Sequence, residues 1–131
     1  MRTIILGKIA ELVPTFNAFI DDDGNLNIGK YDDGITLTVD TGFVGGIALP
    51  KNILEIMNLN FWGYETFILT TGEDVEFPVY LGKVVVETLK FEYEIETSFI
   101  EADYLIGMDF LTDAGSVLSL IFKKGEIKLM K

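Results

Sequence analysis

The sequence contains no cysteine and no histidine. Those two absences remove disulfides, thiolate nucleophiles, zinc fingers and every catalytic arrangement built on Ser-His-Asp or Cys-His pairs. Any acid–base chemistry must then be carried by carboxylates. Positive charge is also scarce: 10 Lys and Arg stand against 21 Asp and Glu, a formal net charge of −11, and Arg2 is the sole arginine. An acidic surface repels phosphate backbones, and one guanidinium is too few for phosphate or base readout, so nucleic acid is not an expected partner. No apolar run reaches membrane-spanning length, and the apolar run within Met1–Lys8 is too short for a signal peptide. A cytoplasmic protein without a membrane partner is the expectation. No linker, internal repeat or low-complexity tract interrupts the chain.

What the chain has in quantity is apolar material. Hydrophobic residues make up 49% of it and aromatics 12%, with a mean hydropathy of +0.35. That suffices for a packed core and excludes a disordered chain. The length reads as one domain, 1–131. The apolar excess is also what a buried contact between subunits would require. Basic residues gather near the end, at Lys123, Lys124, Lys128 and Lys131. A solvated hairpin is the simpler reading of them, a self-association surface the sharper one.

Taken in order, Thr3 to Leu12 reads as one strand or two short ones. Pro14 to Ile20 continues in β-type residues, and Asp21-Asp22-Asp23-Gly24-Asn25 forms a hairpin turn. The acidic turn is faintly like a calcium loop, but the closing glutamate is missing, since position 32 is Asp32. Leu26 to Tyr31 returns, and Asp32-Asp33-Gly34 turns again. Pro50 suits the first turn of a short helix, with Ile53, Leu54, Ile56 and Met57 at helical spacing. Phe61, Trp62 and Tyr64 read as core or edge aromatics. Strands follow at Glu65 to Thr71, Val75 to Leu81, Val84 to Leu89 and Phe91 to Thr97, with a turn at Gly72-Glu73-Asp74. In the last strand Glu92, Glu94 and Glu96 share a wet face and give no converging cage for a cation. Tyr104-Leu105-Ile106 is a short apolar strand. Gly107 to Ala114 is a second short helix, stopped at Gly115 by a glycine C-cap. Ser116 to Phe122 and Glu126 to Met130 form a terminal hairpin. Many short strands and two brief helices predict an all-β sandwich or barrel.

The stretch Ile35-Thr36-Leu37-Thr38-Val39-Asp40-Thr41-Gly42 organises the rest. Ile35, Leu37 and Val39 alternate with Thr36 and Thr38, the period of a strand. That strand delivers a carboxylate at its end, beside apolar walls, where a charge is costly unless paired, protonated or used. Asp-Thr-Gly is here followed much later by Leu105-Ile106-Gly107 opening a helix. Between them lies a hairpin with a tip at Thr70-Thr71-Gly72.

This ordered set resembles the retropepsin-like aspartic proteases, and most of all their small prokaryotic members, in which Asp-Thr-Gly-Phe leads into a helix that starts with Leu-Pro. Asp40 to Phe43 and Leu49-Pro50 match that pattern, and the resemblance covers roughly 35–120. It implies an all-β, retropepsin-like acid-protease barrel with one or two short helices, needing neither cofactor nor metal. Asp40 would be the catalytic aspartate. Thr41 would bond across a dimer, and Gly42 would allow close backbone approach. Thr70, Thr71 and Gly72 would form the tip of a flap over a peptide or protein substrate. Ile106-Gly107 would support the Asp40 loop.

Such proteases hold a water between two carboxylates that share one proton. The chain has one Asp-Thr-Gly and no Asp-Ser-Gly; Asp113-Ala114-Gly115 lacks the hydroxyl and ends a helix. A second Asp40 must then come from a second copy, so the resemblance implies a homodimer. The chain departs from the viral pattern in two ways. Phe43 stands where a small residue is usual, and Gly72 is flanked by Glu73 and Asp74. The regions before Ile35 and after Phe122 do not match the viral termini that form the dimer sheet. The alternative expectation is the same fold used as a non-catalytic binding or assembly module.

Overall fold

In the computed structural model, residues 1–29, 34–87 and 92–131 are described. Eleven strands and two short helices follow one another: β1 Thr3–Ala10, β2 Val13–Ile20, β3 Leu26–Gly29, β4 Ile35–Val39, β5 Ile47–Leu49, α1 Lys51–Leu54, β6 Asn60–Ile68, β7 Asp74–Glu87, β8 Glu92–Glu101, β9 Leu105–Ile106, α2 Met108–Ala114, β10 Val117–Ile121 and β11 Glu126–Met130. One 3₁₀ turn, Phe122–Lys124, joins the last two. The chain is therefore predominantly β, as the short alternating runs predict.

Strand pairing closes a seven-strand barrel in the order β2-β3-β7-β8-β5-β9-β4 and back to β2. The closing contact is antiparallel, with Phe16 opposite Leu37 and Thr15 opposite Thr38. Closure removes the free edges from those seven strands. Four strands stand outside the ring. β6 pairs with β7, and β10-β11 extends through β1 onto β2.

Period-2 alternation turns one face of each strand inward. In β4, Leu37 and Val39 are buried while Thr36 is exposed. Phe16, Leu26, Ile28, Leu37, Ile47, Leu49, Phe99, Ile106 and Phe110 are fully buried in the barrel core. Each such side chain contributes roughly 1.5–3 kcal/mol by leaving water. That apolar staff holds β4 in register and so fixes where Asp40 emerges.

Several local expectations change. The strand from Thr3 ends at Ala10, because Glu11 and Leu12 form a two-residue turn with φ of 51° and 69°. That is the left-handed geometry a tight hairpin needs, here adopted by two residues without glycine. The expected pair of strands from Val75 to Leu81 and from Val84 onward is a single strand, β7. Gly82 is no turn; it lies in the strand because a Cβ there would meet Leu59 and lie 2.9 Å from the Phe99 ring. Helix α1 spans only four residues, with Pro50 as its N-cap rather than inside its first turn. Gly115 ends α2 in extended backbone, φ −140°, not in a left-handed cap. Glycine is needed there because a Cβ would lie 2.6 Å from Leu129 Cγ. Phe61, Trp62 and Tyr64 are exposed on β6. The predicted turn at Asp32-Asp33 and the strand ends at Lys30-Tyr31, Thr88-Leu89 and Phe91 lie outside the described residues.

Candidate active site

The site begins with a crossover. β4 leads through the Asp40 loop into β5, yet these two strands do not pair. β9 lies between them, parallel to β4 and antiparallel to β5. Thr38 stands opposite Leu105, and Ile106 opposite Ile47. Two loops therefore leave the sheet side by side, one after Val39 and one after Ile106.

Backbone hydrogen bonds lock those loops together. Asp40 N–H donates to the Ile106 carbonyl at 2.9 Å, and Gly107 N–H donates to the Gly46 carbonyl at 2.7 Å. Met108 N–H donates to the Phe43 carbonyl at 2.8 Å, and Asp109 N–H to that of Gly45 at 3.1 Å. Gly46 N–H reaches Ser98 Oγ at 3.1 Å. Close approach requires glycine here. A Cβ on Gly107 would strike the Gly45 carbonyl, and one on Gly46 would strike Ser98 and Thr97. The Ile106-Gly107 pair thus carries the Asp40 loop on its own backbone.

Asp40 is half-buried, and Thr41 and Gly42 are exposed. Asp40 Oδ1 accepts the Gly42 N–H at 2.9 Å. Phe43 N–H donates to the Asp40 carbonyl at 3.2 Å. A Cβ on Gly42 would sit 3.2 Å from Asp40 Oδ1, so a side chain there would crowd the carboxylate. The arrangement presents one oriented carboxylate at the surface, on backbone that neighbouring strands over-determine.

Thr70, Thr71 and Gly72 lie at the exposed tip of the β6-β7 hairpin. Leu69 N–H donates to the Glu73 carbonyl at 2.8 Å, and Gly72 N–H to that of Leu69 at 2.9 Å. Gly72 has φ +86°, which a residue with a side chain adopts at a cost. The hairpin and the Asp40 loop meet through aromatic rings. Phe43 and Phe67 have centroids 5.9 Å apart, and Phe67 meets Phe77 edge-on at 5.5 Å. All three pack over Ala48, Val79 and Ile100. The aspartate loop and the flap-like hairpin are therefore brought together, although their tips are joined by rings rather than by Thr41 and Thr70.

Sequence reasoning missed Ser98, Phe67 and Phe77. Phe77 was readable in part, since it alternates with the exposed Glu76 on its strand. A separate cavity of about 450 Å³ lies between α1 and the hairpin stem, lined by Leu54, Met57, Leu59, Pro78 and Tyr80 with Glu101 among its residues. Asp40 does not line it. In the acidic turn, Asp21 organises the chain around it. Asp21 Oδ1 accepts the N–H groups of Asp23 and Asn25, both at 3.0 Å, and Oδ2 accepts Asn27 Nδ2 at 2.8 Å. Glu94 of the acidic strand face pairs with Lys83 at 3.2 Å. No family model matches this chain, and no curated protein and no solved structure matches it either.

Proposed function

We propose that the protein is a homodimeric aspartic endopeptidase of retropepsin-like type. The observation that carries this reading is Asp40. It is held at a strand crossover by Ile106, oriented through Gly42, and set beside a hairpin long enough to cover an extended peptide. In the reaction, Asp40 of each copy holds one water. The ionised member of the pair takes a proton from the water as it attacks the peptide carbonyl. The protonated member donates to the carbonyl oxygen, and the collapsing intermediate releases the amine with a proton returned from the pair. The two carboxylates act as a unit, so neither copy is the base by itself.

A second copy also has a natural seat. Among the described residues β10 pairs with β11 alone, and its sequence Val117-Leu118-Ser119-Leu120-Ile121 carries no charge. Edge strands are ordinarily blunted by lysine, proline or a bulge. Antiparallel pairing of β10 with its own copy about Ser119 would generate a closed two-fold dimer.

Digestion of a peptide library tests the reading. Asp40→Asn is expected to lower turnover by roughly a thousandfold or more while the dimer persists in sedimentation. A fully active Asp40→Asn chain would overturn the role given to Asp40, and a wild type that cleaves no peptide would return the fold to the binding-module alternative.

A further inference from the structure

Phe43 sits one residue past the Asp-Thr-Gly turn, and its backbone is pinned on both sides, by the Asp40 carbonyl at 3.2 Å and by the Met108 N–H at 2.8 Å. The ring therefore has little freedom to leave by moving the chain. Its space is created by two glycines. A Cβ on Gly45 would lie 2.6 Å from Phe43 Cζ, and one on Gly107 would lie 2.6 Å from Cδ2. Across the gap the ring meets Phe67, two residues before the hairpin tip begins at Leu69. Centroids 5.9 Å apart are in contact, so no third side chain fits between these two rings. The apolar floor of Ala48, Val79 and Ile100 beneath is covered by Phe43, Phe67 and Phe77.

We propose that Phe43, through its contact with Phe67, closes the apolar space between the Asp40 loop and the hairpin. It thereby restricts the substrate to peptides with a small residue, glycine, alanine or serine, on one side of the cleaved bond. The inference rests on the peptidase reading for its substrate class. The ring contact itself also holds the hairpin down on the loop, and that part stands without hydrolysis. Phe43 is a specificity-determining residue here and moves no proton.

The experiment uses the full chain as wild type, Phe43→Ala, the more conservative Phe43→Leu, and Phe67→Ala, with two readouts. In peptide-library digestion, wild type is expected to require a small residue at one flanking position. Phe43→Ala is expected to shift the ratio of kcat/KM for Leu or Phe peptides over Ala peptides by about tenfold or more toward the larger residues. Phe43→Leu should fall between them. In amide hydrogen exchange, Leu69 and Gly72 are expected to exchange faster in both Ala variants. An active Phe43→Ala chain with the wild-type preference, or a wild type that favours Leu or Phe at both positions, overturns the restriction. Unchanged exchange at Leu69 and Gly72 overturns the contact that underlies it. A wild type that cleaves no peptide, with faster exchange in the variants, removes the peptidase reading and the substrate restriction but upholds the ring contact.

Discussion

At the scale of single residues, the chain spends its glycines and its hydrogen-bonding acids on backbone geometry. Gly107 is the sharpest case. Adding one methyl would drive Cβ into the Gly45 carbonyl and the Phe43 ring. Gly107→Ala is expected to destabilise the fold by about 2 kcal/mol or more, read as a lowered thermal midpoint. A midpoint equal to wild type would mean that the Asp40 loop is free to retreat. Asp21 gives a pH-dependent case. The Asn27 amide, aided by the N–H groups of the turn, holds its carboxyl below the ordinary 3.8, with burial opposing. A lowered native pKa stabilises the fold above the unfolded value and is lost as pH falls through the native one. Asp21→Ala is therefore expected to cost about 1–2 kcal/mol at neutral pH. The deficit should shrink in strong acid, as followed by urea unfolding at several pH values. A deficit independent of pH would contradict the charge-assisted account. The tripeptide at Asp40 was readable because alternation before it and glycine within it are local signals. Phe67 was not, because its partner lies 24 positions away and their meeting depends on how the hairpin folds back.

At the scale of elements, the consequential feature is the insertion of β9 between β4 and β5. Local pattern marked β4 and β9 as strands but left Ile47–Leu49 unassigned ahead of the helix, and the order of the three in the sheet is a matter of long-range pairing, which no period reveals. The opposite error befell β7. The sequence reading broke the strand at Gly82-Lys83, but the glycine serves close packing against Leu59 and Phe99 within a continuous strand. The bulge in β6 between Phe61 and Gly63 shifts the hairpin register and was equally silent in the sequence. β10 offers a test at this scale. Ser119→Lys would set like charges opposite each other in a two-fold β10 pair. The variant is expected to weaken the dimer by about tenfold or more in sedimentation, and mixing it with Ser119→Glu should restore association. Dimers that survive both substitutions unchanged would place the contact elsewhere.

At the scale of the whole molecule, a closed barrel holds the Asp40 loop at the ends of β4 and β9 and carries β6 as an added strand on β7. The β class was legible from many short alternating runs between turn residues. Closure through β2 and β4 was not, because β3 lies between them in the chain and already takes the other edge of β2. The central claim is that catalysis belongs to a pair of chains sharing one site. It is tested most directly by calorimetric titration with a peptide analogue that carries a hydroxyl in place of the cleaved amide. The account predicts one analogue bound for every two chains, with binding lost in Asp40→Asn. One analogue for each chain, or binding indifferent to Asp40, would contradict it.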